Sequence, residues 1–208
     1  GQVQDSHCAE GREPGSPCLR RGPYRHRAGR REERHGKGLL YQIAFVGITT
    51  PEAVTKASPE YFKDEYGNFI YGFPIYPGEM TNEGLYENIQ KSVDNAVTEG
   101  ADIVVAVGHT GILETADGWK STDIIENTGG IDYYIDAHSH ETITENIYKN
   151  KENQDVVITS TGSKFANFGV MTIHSDGDVD FELVNPDTGL PPFTWLSVAL
   201  VAPVTLPM

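Results

Sequence analysis

The sequence predicts an α/β fold built on a mixed sheet. Three observations carry that expectation. Short β-branched runs of buried-strand type recur at Ile43–Ile48, Ile103–Val107, Ile131–Asp136 and Val156–Ser160. A strongly amphipathic helical segment separates the first two. A hairpin pattern, Val170–Ile173 and Val179–Leu183 around Ser175-Asp176-Gly177-Asp178, then adds an antiparallel portion that closes the sheet.

The first strand, Ile43-Ala44-Phe45-Val46-Gly47-Ile48, passes into Thr49-Thr50-Pro51-Glu52, where proline stops strand pairing. Ser58-Pro59-Glu60 has the form of a helix start, with a serine cap and proline at the first helical position. Residues 66–80, rich in Gly, Pro and aromatics, read as irregular loop. Residues 82–99 form the clearest helix. Leu85, Ile89, Val93 and Ala96/Val97 recur at helical spacing, and Gly100 stands where a left-handed C-terminal cap belongs. The Ile103 strand follows at once, making a strand–helix–strand crossover of the parallel type. A polar loop, a short helix near 121–128 capped by Ser121 or Thr122, and Gly129-Gly130 lead to the Tyr133 strand.

Charge divides the chain. All eight arginines lie between Arg12 and Arg34, and residues 1–40 carry nine basic and five acidic side chains. Residues 41–208 carry seven lysines, no arginine and 25 acids, a net of −18. A body this acidic repels nucleic-acid backbone, which excludes DNA or RNA as its partner. It also repels phosphate unless a metal or another local cation compensates. The Gly-, Pro- and Arg-rich segment 1–40 lacks periodicity and reads as a disordered basic leader, or one not native to the body. Only a basic arm there would bind nucleic acid, and that reading is disfavoured. Residues 41–184 make the α/β domain, and 185–208 a Pro-rich apolar tail. The N-terminus lacks the apolar core of a signal peptide, and Pro203 cuts the tail too short to span a membrane. Cys8 and Cys18 are the only cysteines, and nothing in their spacing shows that they pair.

Histidine carries the chemistry. The Ile103 run ends in Gly108-His109-Thr110-Gly111, and the Ile131 run ends in Asp136-Ala137-His138-Ser139-His140. Ligands of α/β sheets bind beyond the carboxyl ends of the strands. Imidazole is a ligand for Zn²⁺, Mn²⁺, Fe or Co. Side chains at i and i+2 of an extended strand share a face, so His138 and His140 are expected together, with His109 reaching them from a neighbouring strand tip. A lone histidine is more often a hydrogen-bonded bystander; three at one sheet edge point to metal. His174 precedes a hairpin turn at the opposite end and is expected to face solvent, and His7, His26 and His35 receive no role. Glu114, Asp117, Trp119 and Asp123 in the loop after His109 read first as solvated surface. Lys164 lacks the glycine pattern of a phosphate loop, and Asn167 stands with it as a weak candidate.

Val107-Gly108-His109-Thr110-Gly111 followed by Asp136-Ala137-His138-Ser139-His140 resembles the C-terminal half of the catalytic domain of calcineurin-like metallophosphoesterases, more closely the 5′-nucleotidase branch. Phe45-Val46-Gly47-Ile48-Thr49-Thr50-Pro51 and Thr159-Ser160-Thr161-Gly162-Ser163-Lys164-Phe165-Ala166-Asn167 extend the likeness, which covers about Tyr41 to Leu183. The resemblance implies part of an α/β/β/α sandwich, a two-metal centre hydrolysing phosphate esters, a nucleoside monophosphate as substrate, and an extracytoplasmic or cell-surface location. His109 and His138 would bind one metal and His140 the other. Asp136-Ala137 replaces the family's usual glycine before the first histidine of the pair. The family's upstream Asp-x-His, Gly-Asp and Gly-Asn-His motifs are not recognisable here, and Gly67-Asn68 runs into Phe69-Ile70. The expectation is therefore a fragment that holds one metal or none, has no assignable catalytic residue, and does not turn over alone. The competing readings are a non-catalytic metal-binding α/β domain and a parent of the 2′,3′-cyclic nucleotide phosphodiesterase type.

Overall fold

Strand β1 (Ile43–Thr49) forms where the β-branched run is densest, and it pairs in parallel with β2 (Ile103–His109) from Ile43↔Ile103 to Thr49↔His109. The computed structural model describes residues 41–50, 52–53, 58–70, 82–113, 118–174 and 177–187. The leader 1–40 and all of the tail beyond Asp187 lie outside the described residues, as do Glu114 and Asp117.

The crossover between β1 and β2 is helix α1 (Asn82–Thr98). Its stripe Leu85, Ile89 and Val93 is buried against Val46, Ile48, Val104 and Ala106. Gly100, at φ 103°, ends it. Gly100 N donates to Val97 O (3.2 Å) and Ala101 N to Ala96 O (3.0 Å), the paired closing bonds of a glycine-capped terminus. The expected helix at Ser58-Pro59 is a single 3-10 turn, Pro59–Phe62, and Ser58 makes no side-chain cap bond. Proline fits its first turn, yet no apolar stripe follows to extend it.

Strand β3 (Tyr133–Asp136) continues the parallel sheet beside β2, and β5 (Asp155–Thr161) lies beside β3. Helix α2 (Ser121–Asn127) buries Ile124 and Ile125 in the same core as α1. Gln90 of α1 fixes the turn after α2: its Nε2 donates to Gly129 O (3.0 Å) and its Oε1 accepts from Gly129 N (2.7 Å).

Strand β4 (Thr142–Lys149), not expected from the sequence, pairs antiparallel with β5 and makes the sheet order β1-β2-β3-β5-β4. Its sequence, Thr-Ile-Thr-Glu-Asn-Ile-Tyr-Lys, is polar because it forms an edge with one face largely wet. The expected hairpin is present as β6 (Phe168–Ile173) and β7 (Val179–Val184), antiparallel from Phe168↔Val184 to Ile173↔Val179. It does not close the main sheet; it stands as a separate two-stranded sheet. Val179, Met171, Ile173 and Phe181 pack against Ile103, Val105, Tyr133 and Val157 on the face opposite the helices.

The result is three layers: helices, a mixed five-stranded sheet and a small second sheet. β2 is apolar on both faces because both are covered, and β1 is covered only by helix, so Ile43 and Phe45 remain exposed. None of the described helices is long and apolar enough to cross a membrane.

Candidate functional site

The carboxyl ends of β2 and β3 meet at one edge of the sheet. His109 is the last residue of β2, and Val107 is registered with Ile135 of β3. The next turn of chain after β3 therefore arrives beside His109. There the His138 ring meets the His109 ring edge to face, with centres 4.9 Å apart and planes at 70°. Trp119 closes one side of the pair, its ring centre 5.9 Å from that of His138.

Strand β3 ends at Asp136, before either histidine of the His-Ser-His run. His138 and His140 both adopt positive φ, 90° and 60°. The i, i+2 argument for a shared strand face does not apply to them, because the backbone there is no longer extended. Non-glycine residues in this region are strained by about 1–3 kcal/mol each and concentrate at functional sites. His138 is brought to His109. His140 is exposed.

Two glycines let the His109 segment approach so closely. A Cβ at Gly108 would overlap the hydroxyl end of Tyr134, and one at Gly111 (φ 76°) would press on Ser139 and the His138 ring. Between them, a buried carboxylate ties the two strand tips together. Asp136, 5% exposed, accepts from Gly111 N (3.1 Å) and lies 3.4 Å from both Thr110 N and Thr110 Oγ1. The Ser121 hydroxyl, at the start of α2, sits between the Asp136 carboxylate and Gly111 O (2.7 Å). The expected cap of this helix is Ser121 or Thr122; Lys120 occupies the cap position instead, and Ser121 serves the site loop. Tyr134 completes the network through Thr110 Oγ1 (2.8 Å), and burial pushes its phenol well above its ordinary value.

Glu52 enters from the loop after β1: its Oε2 lies 3.3 Å from His138 Nε2. Sequence reading passed over this residue as loop, although its place beyond a strand's carboxyl end was the available signal. Asp123, read first as solvated surface, is half-buried: it accepts from Gly118 N (2.7 Å) and pairs with Lys120 (3.6 Å). His174 pairs with Asp180 at 2.8 Å, away from this edge as expected.

The donor set tests what the site can hold. The contact between the two rings, 4.9 Å at 70°, has the geometry of an ordinary edge-to-face pair. Among the described residues, no group of three or more His, Cys, Asp or Glu side chains gathers in a metal-holding arrangement. The described residues thus bring two imidazoles together and do not fit a two-metal centre.

No family model matches the sequence, and no curated protein does. Among the solved structures similar to it are the following two. The NAD nucleotidase of Haemophilus influenzae superposes with a TM-score of 0.46 at 13% identity, covering 68% of this chain and 27% of that one. The calcineurin-like phosphoesterase YfkN of Bacillus subtilis superposes with a TM-score of 0.46 at 16% identity, covering 76% of this chain and 49% of its own. The chain spans about a quarter of the first protein and about half of the second.

One further feature lies at the same edge. After β5, Ser163-Lys164-Phe165-Ala166 makes a turn closed by Ala166 N donating to Ser163 O (3.1 Å). Both central residues are left-handed, Lys164 at φ 57° and Phe165 at φ 58°. Both side chains are exposed, Phe165 to 81%.

Proposed function

We propose that this chain carries half of a divalent-metal centre for phosphoester hydrolysis, of the 5′-nucleotidase type. The observation that supports it most is the ring contact between His109 and His138, delivered by the carboxyl ends of two adjacent parallel strands. His109 and His138 would hold one ion, and His140, exposed on the same turn, would serve the second ion of a complete centre. Asp136 keeps the His109 segment fixed against the His138 turn, and Glu52 orients the His138 ring. A bound divalent ion would supply Lewis acidity to a phosphoryl oxygen and offset the acidic body. The intended substrate is a nucleoside monophosphate, with cyclic nucleotide phosphodiesters as the runner-up.

Three imidazoles without a bridging carboxylate hold one ion at best, so this polypeptide alone is expected to bind metal weakly and not to turn over. Calorimetric titration of the full chain with Zn²⁺ or Mn²⁺ should show weak binding, reduced about tenfold or more by His138→Ala. No heat from the wild-type chain would refute the metal reading. Metal-dependent hydrolysis of AMP that His138→Ala abolishes would refute the half-site reading.

A second reading is a non-catalytic α/β domain in which the Glu52–His138 pair merely closes the sheet edge. On that reading metal addition gives no binding heat, which the same titration reports.

A further inference from the structure

The Lys164-Phe165 turn is built against its own backbone preference. A tight turn with both central residues at positive φ is the arrangement that Asn-Gly or Gly-Gly adopts freely. Here a lysine and a phenylalanine occupy those positions, each with a Cβ that the left-handed region disfavours. Neither side chain recovers the strain by packing: Lys164 and Phe165 both stand in solvent, and among the described residues no ion pair engages Lys164. An exposed aromatic and an exposed cation held side by side at a strained turn have no evident structural reason.

Their place in the fold supplies one. Strand β5 lies parallel to β3, with Asp136 registered on Ser160. Both strands therefore end at the same edge of the sheet, β3 at Asp136 and β5 at Thr161, and the turn that holds His138 and the turn that holds Lys164 leave from neighbouring strands. The turn therefore rises from the same sheet edge as the histidine pair. The chain then crosses to β6, on the face opposite the helices. By strand alternation that is also the face of Ile103, Val105 and His109. In a body with 25 acidic and seven basic side chains, a lysine at that edge with no ion pair among the described residues is a rare favourable partner for an anion.

We infer that the Lys164-Phe165 turn is a nucleotide-recognition element, in which the Phe165 ring stacks on the base of a nucleoside monophosphate and Lys164 meets its phosphate. The inference rests on the phosphoester reading of the histidine pair, which places the phosphate at the same edge. The turn's strain is the consequence of presenting both groups outward.

Replacing the pair by the residues the turn prefers, K164N/F165G, tests this without risking the fold, since that change relaxes the backbone. The double variant should melt about 4–8 °C higher than the wild type. Binding is measured with the full chain in Mn²⁺, using AMP, ribose 5-phosphate and adenosine as probes. The inference predicts that the variant binds AMP roughly 5- to 100-fold more weakly. Phe165→Leu alone should weaken AMP and adenosine while leaving ribose 5-phosphate unchanged. Wild-type binding of AMP and ribose 5-phosphate with equal strength, insensitive to Phe165→Leu, overturns the recognition element and leaves the phosphoester reading standing. Absence of any Mn²⁺-dependent binding of either phosphate by the wild type overturns both.

Discussion

At the residue scale, the site is set by a few side chains whose partners the sequence does not display. His109 and His138 were legible because each closes an apolar run, and a histidine at a strand's carboxyl end is chemically conspicuous. The role of Asp136 was not legible. It reads as one more acid in an acidic chain, and only the fold shows it buried and accepting from Gly111 N. Glu52 and Ser121 were hidden for the same reason: a partner 86 residues away, or on another element, leaves no local pattern. Tyr134 allows a quantitative check on this buried network. Burial, the main cause, and the nearby Asp136 charge both hold its phenol protonated, outweighing the opposite pull of the Thr110 hydrogen bond. The unfolded chain releases that proton above its ordinary value of 10.0, while the folded chain keeps it. Folding then binds more protons than unfolding, so stability is full below pH 10 and falls above it, by about 1.4 kcal/mol per pH unit from this group. Urea unfolding of wild type and Tyr134→Phe between pH 8 and pH 11 should show the wild type losing stability faster. Parallel curves would mean that Tyr134 ionises freely.

At the element scale, the long helix and the parallel strands followed their periodicity, and the antiparallel edge strand did not. Helix α1 was readable because Leu85, Ile89 and Val93 form an apolar stripe and Gly100 ends it. Strand β4 was not, since its alternation is blurred by Glu145 and Asn146, where the register with β5 shifts between Ile143 and Asn146. The strand instead owes its place to pairing with β5, an interaction invisible to local pattern. The layers also predict where substitutions hurt. Ile124 of α2 is fully buried between helix and sheet, whereas Ile43 at the start of β1 is 39% exposed. Ile124→Ala should cost about 2–5 kcal/mol of unfolding free energy. Ile43→Ala should change it by about 0.5 kcal/mol or less. Chemical denaturation of the two variants side by side measures this. Equal losses would mean that β1 is covered on both faces.

At the scale of the whole molecule, one edge of one sheet collects the candidate residues among those described. His109 ends β2, the His138 turn follows β3, Glu52 follows β1, and the Lys164-Phe165 turn follows β5. Parallel strands all point their carboxyl ends the same way, so residues scattered over more than a hundred positions converge without any of them being close in sequence. The mixed α/β class was legible for that reason: alternating strand and helix patterns leave few other arrangements. The separate β6–β7 sheet was not, because a hairpin pattern says nothing about which face it will cover. The central claim is that His109 and His138 share a divalent ion at this edge. The most direct measurement is the imidazole NMR spectrum of the full chain during addition of substoichiometric Mn²⁺. The His109 and His138 ring signals should broaden first and together, while His174, paired with Asp180 elsewhere, stays sharp and serves as the internal control. Equal broadening of His174 with the pair, or no broadening of the pair at all, would contradict it.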